Sequence, residues 1–78
     1  METDLEVDAR GLLCPLPILR LARALHRAPA GAVALLLATD PAAVEDVSVL
    51  CREKGYELLS TERDGTVFRF RVRRASAE

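Results

Sequence analysis

Tryptophan is absent from this chain, and only three aromatic side chains occur in its 78 residues, Tyr56, Phe68 and Phe70. A core must therefore be assembled from Leu, Val, Ile and Ala. Cysteine occurs twice and histidine once. Two cysteines make no disulfide framework, and with neither a Cys-x-x-Cys nor a Cys/His cluster no metal site is expected. The single histidine, His26, falls near the end of a helical stretch, beside Arg27, and reads as a solvated residue compatible with the helix dipole. No Ser/His/Asp or Cys/His pair can be assembled around it, which disfavours a cysteine hydrolase. No apolar run approaches 18 residues, and the N-terminus, Met-Glu-Thr-Asp-Leu-Glu, is acidic, unlike a signal peptide. A cytoplasmic protein that does not enter membranes is the expectation. A net charge of −1 argues against a strongly basic nucleic-acid binder.

What is present gathers around Arg10-Gly11-Leu12-Leu13-Cys14-Pro15-Leu16-Pro17. Gly11 permits a turn that a side chain would restrict. Proline is tolerated in the first turn of a helix, where its missing N–H had no intrahelical partner. Pro15 and Pro17 thus read as the first and third helical residues, which makes Cys14 the N-cap. Unpaired N–H groups and the positive end of the macrodipole converge there. A thiolate at that point is favoured, so the pKa of Cys14 is expected below the ~8.5 of a free cysteine. An accessible, acidic thiol with no base beside it suits thiol exchange or the carriage of a sulfur atom.

Leu5 to Asp8 alternates like a short strand. Residues 15–28 form a helix with Ile18, Leu21, Ala22 and Leu25 on one stripe and Arg20, Arg23 and Arg27 off it. Pro29-Ala30-Gly31 ends it. Val33 to Ala38 is a buried strand. In Thr39-Asp40-Pro41 an N-cap acid precedes proline, opening a second helix from Pro41 to about Lys54. Its stripe holds Val44, Val47 and Cys51, with Ala43 and Leu50 beside it. Glu45 and Asp46 at its start and Arg52 and Lys54 at its end suit the dipole. Gly55 caps it. Strands at Tyr56–Glu62 and Thr66–Arg73 flank an Asp64-Gly65 turn. The last strand alternates Phe68, Phe70 and Val72 inward with Arg69, Arg71 and Arg73 outward. Residues 75–78 are expected to fray.

The order is β-α-β-α-β-β. Right-handed crossovers place both helices on one sheet face, giving an α+β two-layer α/β sandwich with Glu6, Asp8, Arg69 and Arg71 on the open face. Both helices then begin at one edge, bringing Cys14 and Asp40 together. Cys51 lies ten residues into the second helix, about 15 Å along its axis, too far for a disulfide with Cys14. It reads as a small core residue. Asp40 reads as a helix cap rather than a catalytic acid. Leu16 falls off the apolar stripe and reads as a docking residue at the rim of the thiol; Leu13 reads equally as rim or core edge.

The stretch Val7 to Pro17 resembles the signature of the TusA-like (SirA-like) sulfur carrier proteins, whose hallmark is Cys-Pro-x-Pro. Thr39-Asp40-Pro41, Glu45-Asp46-Val47, Cys51 and Gly55-Tyr56-Glu57-Leu58-Leu59 continue the resemblance over nearly the whole chain. It implies a mixed four-stranded sheet of order 1-2-4-3 with the last strand antiparallel to the others. It also implies that Cys14 accepts sulfane sulfur as a persulfide from a cysteine desulfurase or a rhodanese. A downstream acceptor in tRNA thiolation, cofactor biosynthesis or sulfur oxidation would then receive it. The protein would be a carrier without turnover of its own and without a cofactor, and Cys51 would carry no sulfur. Arg10 would then stand by as the nearest cation, while Gly11, Pro15 and Pro17 shape the loop. A monomer is expected.

Two other classes stand beside this one. A regulatory or nucleic-acid-binding module would use Arg69, Arg71, Arg73 and Arg74, although no aromatic side chain shares their face for base stacking. A thiol oxidoreductase would want a resolving cysteine, and Cys51 is misplaced for that.

Overall fold

The computed structural model describes residues 3–75. Along the chain run β1 (Leu5–Ala9), α1 (Leu16–Arg27), β2 (Val33–Ala38), α2 (Ala43–Lys54), β3 (Glu57–Asp64) and β4 (Val67–Arg73). The strands form one sheet in the order β1-β2-β4-β3. β1 and β2 are parallel, and β4 is antiparallel to both β2 and β3. Ala75 is exposed beyond β4, and residues 76–78 of the expected frayed end lie outside the described residues.

One sheet face is buried beneath the two helices. Val7 and Ala9 of β1, Ala34, Leu36 and Ala38 of β2, and Phe70 and Val72 of β4 meet Leu21 and Leu25 of α1 and Val47, Leu50 and Cys51 of α2. Burying each of the larger side chains stabilises the fold by about 1.5–3 kcal/mol. The period-2 alternation of β4 is kept, since Phe70 and Val72 are fully buried and Phe68 stacks beside Phe70 with centroids 6.2 Å apart.

The other face carries charge on β1, β4 and β3. Arg71 and Arg73 of β4 pair with Glu62 and Glu57 of β3, and Arg69 lies 3.9 Å from Asp64. The alternating arginines of the last strand thus have acids on the neighbouring strand. Between them and Glu6 and Asp8 of β1, the middle strand β2 presents Leu35 and Leu37, in register with Arg71 and Arg69. Apolar arginine stems shield such side chains from water.

Both helix starts and the hairpin turn differ from the sequence reading. α1 starts at Leu16 with Pro15 as its N-cap, so Cys14 lies just outside the helix and Pro17 is its second residue. The Cys14–Pro15 peptide bond is cis. α2 starts at Ala43 rather than Pro41, because Asp40, Pro41 and Ala42 form a separate turn closed by Ala43 N–H donating to Asp40 O at 2.9 Å. Val44, expected on the apolar stripe with Val47 and Cys51, is instead exposed, and the buried side of α2 is Ala43, Val47, Leu50 and Cys51. The hairpin turn is Gly65-Thr66, one residue later than expected, since Asp64 pairs with Val67. Only Gly65 has positive φ there, and a two-residue turn with glycine first needs no second left-handed residue.

Arg74 ties the chain end to the far side of the molecule. Its Nη1 donates to the carbonyls of His26, in the last turn of α1, and of Ala28, the C-cap. His26 itself is exposed in the last turn, as expected.

Candidate functional site

The loop between β1 and α1 is held by the connection between β2 and α2. Gly11, at φ 82, donates its N–H to Thr39 Oγ1 at 2.9 Å. Only a residue that tolerates positive φ lets the chain reverse here. Three residues on, the Cys14 N–H donates to Asp40 Oδ2 at 2.8 Å, while Asp40 Oδ1 accepts from the Ala42 N–H at 3.1 Å. Asp40 therefore grips two loops with one carboxylate. It does not cap α2, whose N-cap is Ala42 with no side-chain bond. The common edge for Cys14 and Asp40 is what the topology dictated, and the physical link is this backbone hydrogen bond.

The side chain of Cys14 has a different partner. Its Sγ donates to Asp46 Oδ2 at 3.0 Å, and the thiol is exposed. An ionised carboxylate only accepts, so the thiol keeps its proton. The acidity of Cys14 is accordingly lowered. Its pKa is raised from the ordinary value, first by the Asp46 hydrogen bond, then by desolvation and by the charges of Asp46 and Asp40. This overturns the expected acidic thiol. The donors that would have supported a thiolate are missing: Pro15 and Pro17 have no N–H, and the Leu16 N–H bonds the Leu13 carbonyl at 2.9 Å. Two negative side chains stand where a positive helix end was expected.

Arg10 is engaged elsewhere. Its Nε and Nη2 each lie 2.9 Å from the Asp8 carboxylate, which is held down to about 2 chiefly by the Arg10 side-chain hydrogen bond. Leu13 and Leu16, 70% and 46% exposed, flank the thiol, and Leu19 at 56% continues them along α1. Leu16 and Leu19 open onto a groove of about 660 Å³ between α1 and β1 that Arg20, Arg23 and Arg27 also line. On its α2 side the thiol borders a recess of about 240 Å³ lined by Pro15, Ile18, Asp46, Val49, Leu50 and Glu53.

Asp46 and Thr39 are the members of this site that sequence reasoning missed. Asp46 reads along the chain as an acid suited to a helix start and as part of the Glu45-Asp46-Val47 stretch of the resemblance, without a role at the thiol. The available signal was that both helices begin at one edge, which brings the first turn of α2 opposite the thiol. Cys51 is buried in the core and free, its thiol pushed up by desolvation. Iodoacetamide is therefore expected to label Cys14 and to leave Cys51 unmodified until the protein unfolds. The Cys14 rate should reach half its maximum above the pH that suffices for a free cysteine (~8.5). Intact mass against time and pH checks both points; rapid double labelling, or a half-maximum below that of free cysteine, would contradict this geometry.

Among the described residues no group of His, Cys, Asp and Glu is arranged to hold a metal ion, and no helix is long and apolar enough to cross a membrane.

Comparisons with known proteins agree with one another. The model of the family described as sulfurtransferase TusA matches residues 5–74. The chain is 39% identical over 72 residues to the sulfur carrier protein TusA of Allochromatium vinosum, covering 92% of this chain and 95% of that one. It is 47% identical over 60 residues to a putative sulfur carrier protein of Neisseria meningitidis serogroup A, covering 76% and 81%. A crystal structure of a SirA-like protein from Desulfitobacterium hafniense superposes with a TM-score of 0.79 at 25% identity, covering 92% of this chain and 99% of that one.

Proposed function

The chain belongs to the TusA family, and from that premise we propose that it is a sulfur carrier whose cargo rides on Cys14 as a persulfide. The observation that carries this reading is an exposed thiol on a loop anchored at both ends, with the other cysteine sealed in the core. A carrier must offer its sulfur to two partners in turn. An exposed Sγ does so, and Gly11 and Asp40 limit the motion of the loop that presents it. The donor is a cysteine desulfurase or a rhodanese. The acceptor is a protein of tRNA thiolation, cofactor biosynthesis or sulfur oxidation.

Leu13 and Leu16 form the docking rim for both partners, since large apolar side chains this exposed beside a reactive atom favour transient burial. Pro15 and Pro17 stiffen the segment that carries them. Arg10 acts through Asp8, fixing the start of the loop. The protein has no turnover of its own, works as a monomer, and binds no nucleic acid directly through β4, whose arginines face acids of β3. A cytoplasmic setting suits it, because thiols stay reduced there.

The test is chemical. The protein is incubated with a cysteine desulfurase and cysteine, freed of small molecules, and treated with cyanide, which removes sulfane sulfur as thiocyanate. One equivalent of thiocyanate per chain is expected, and none after prior alkylation of Cys14. A yield unaffected by that alkylation would contradict the reading.

A further inference from the structure

Asp46 Oδ2 lies 3.0 Å from Cys14 Sγ, within the reach required of a general base. Among the described residues its carboxylate makes no other hydrogen bond or ion pair, whereas both oxygens of Asp40 are occupied by backbone N–H groups. Glu53 lines the same recess seven residues further along α2, about 10 Å along the axis at ~1.5 Å per residue. His26 sits at the opposite end of α1. Asp46 is therefore the group placed to receive a proton from Sγ.

We propose that Asp46 is a catalytic residue of sulfur uptake, accepting the Cys14 proton as Sγ attacks the terminal sulfur of a donor persulfide. This rests on the carrier reading. In the step, a bond forms between Cys14 Sγ and the terminal sulfur of the donor, R–S–S–H. The donor's own S–S bond breaks, and its electron pair leaves on the donor sulfur. The Sγ proton passes through Asp46 Oδ2 to that departing thiolate. The products are Cys14–S–S–H and R–S–H, with no net oxidation. Asp46 is returned unchanged.

The chemistry follows from the electrostatics of the contact. A carboxylate beside the thiol disfavours a free thiolate, so attack by prior ionisation is penalised. The same carboxylate relieves the penalty when the proton moves during the attack. A carboxylate is a weak base, but the proton's destination is another sulfur, so the transfer between the two sulfurs is nearly balanced. This arrangement keeps the thiol quiet toward adventitious electrophiles that offer no protonatable leaving group.

The two roles of Asp46 predict opposite responses to one substitution. In Asp46→Asn, alkylation of Cys14 by iodoacetamide at neutral pH is expected to rise several-fold. Uptake of sulfur from glutathione persulfide, a donor that needs no protein interface, is expected to fall by about a hundredfold, the low end of what a general base contributes. Asp46→Glu should recover part of the uptake. Asp46→Ser carries the same test if the asparagine protein fails to fold. Faster uptake alongside faster alkylation would make Asp46 only an electrostatic brake and overturn the proposal; so would no change in uptake. Parent protein loaded by glutathione persulfide but never by a desulfurase or a rhodanese would remove the carrier reading instead.

Discussion

Cys14→Ser is expected to fold like the parent and to carry no sulfur at all. The side chain at residue 14 is exposed and its one hydrogen bond runs to Asp46. A serine hydroxyl can donate to the same carboxylate. The loop is held by main-chain N–H groups, those of Gly11 and Cys14, which the substitution leaves in place. Thermal unfolding should therefore shift by no more than a surface substitution shifts it, within about 0.5 kcal/mol. Loading by a cysteine desulfurase should vanish, because a hydroxyl does not form a bond to sulfane sulfur under these conditions. The control needs care. Cys51 is buried among Val47, Leu50 and the sheet. A serine there places a hydroxyl in an apolar site at a cost of about 1–3 kcal/mol. Cys51→Ala avoids that hydroxyl and should load like the parent. Thiocyanate yield and a melting curve on each protein check the pair. A Cys14→Ser protein that is loaded, or one that is unfolded, would contradict this account.

Phe70→Ala is expected to be the most damaging single change to the fold. Phe70 is fully buried at the middle of β4, in register with Leu36 on β2 and Thr61 on β3. It is among the few aromatic side chains available, so no neighbour can expand to fill its volume. Truncation of a buried phenylalanine costs about 3–5 kcal/mol. Domains have about 5–15 kcal/mol in total, and one this short lies toward the lower end. At roughly 4–8 °C per kcal/mol for this size, the melting temperature should drop by at least about 12 °C. Phe68→Ala should cost less, since Phe68 is half-buried at the sheet's rim with Arg63 5.5 Å above its ring. Circular dichroism melts of the two variants decide the matter. Equal losses would show that the core is not centred where the burial places it.

The fold was largely legible because its strongest signals are periodic. The alternation of Phe68, Phe70 and Val72 with arginines, and the unbroken apolar run of β2, leave one arrangement that buries both. Helix starts were less legible. Proline marks the neighbourhood of a start but does not say which of two nearby residues is first, and at both helices the first regular turn begins later than the proline suggested. The site followed the same division. Cys14 could be singled out by its prolines, and its meeting with Asp40 followed from topology. The acidity of the thiol could not be read, because it depends on which side chain occupies the space beside Sγ. Asp46 is 32 residues away in sequence. Its carboxylate reverses the effect that a bare helix end would have had.

The central claim is that sulfur is held on Cys14 alone. Intact mass after incubation with a cysteine desulfurase and cysteine, without reductant, tests it most directly when run on the parent, Cys14→Ser and Cys51→Ala together. The account predicts the added mass of sulfur on the parent and on Cys51→Ala, and an unchanged mass for Cys14→Ser. If a rhodanese with thiosulfate also leaves the parent unchanged, or if Cys14→Ser gains as much as the parent, Cys14 is not the carrier.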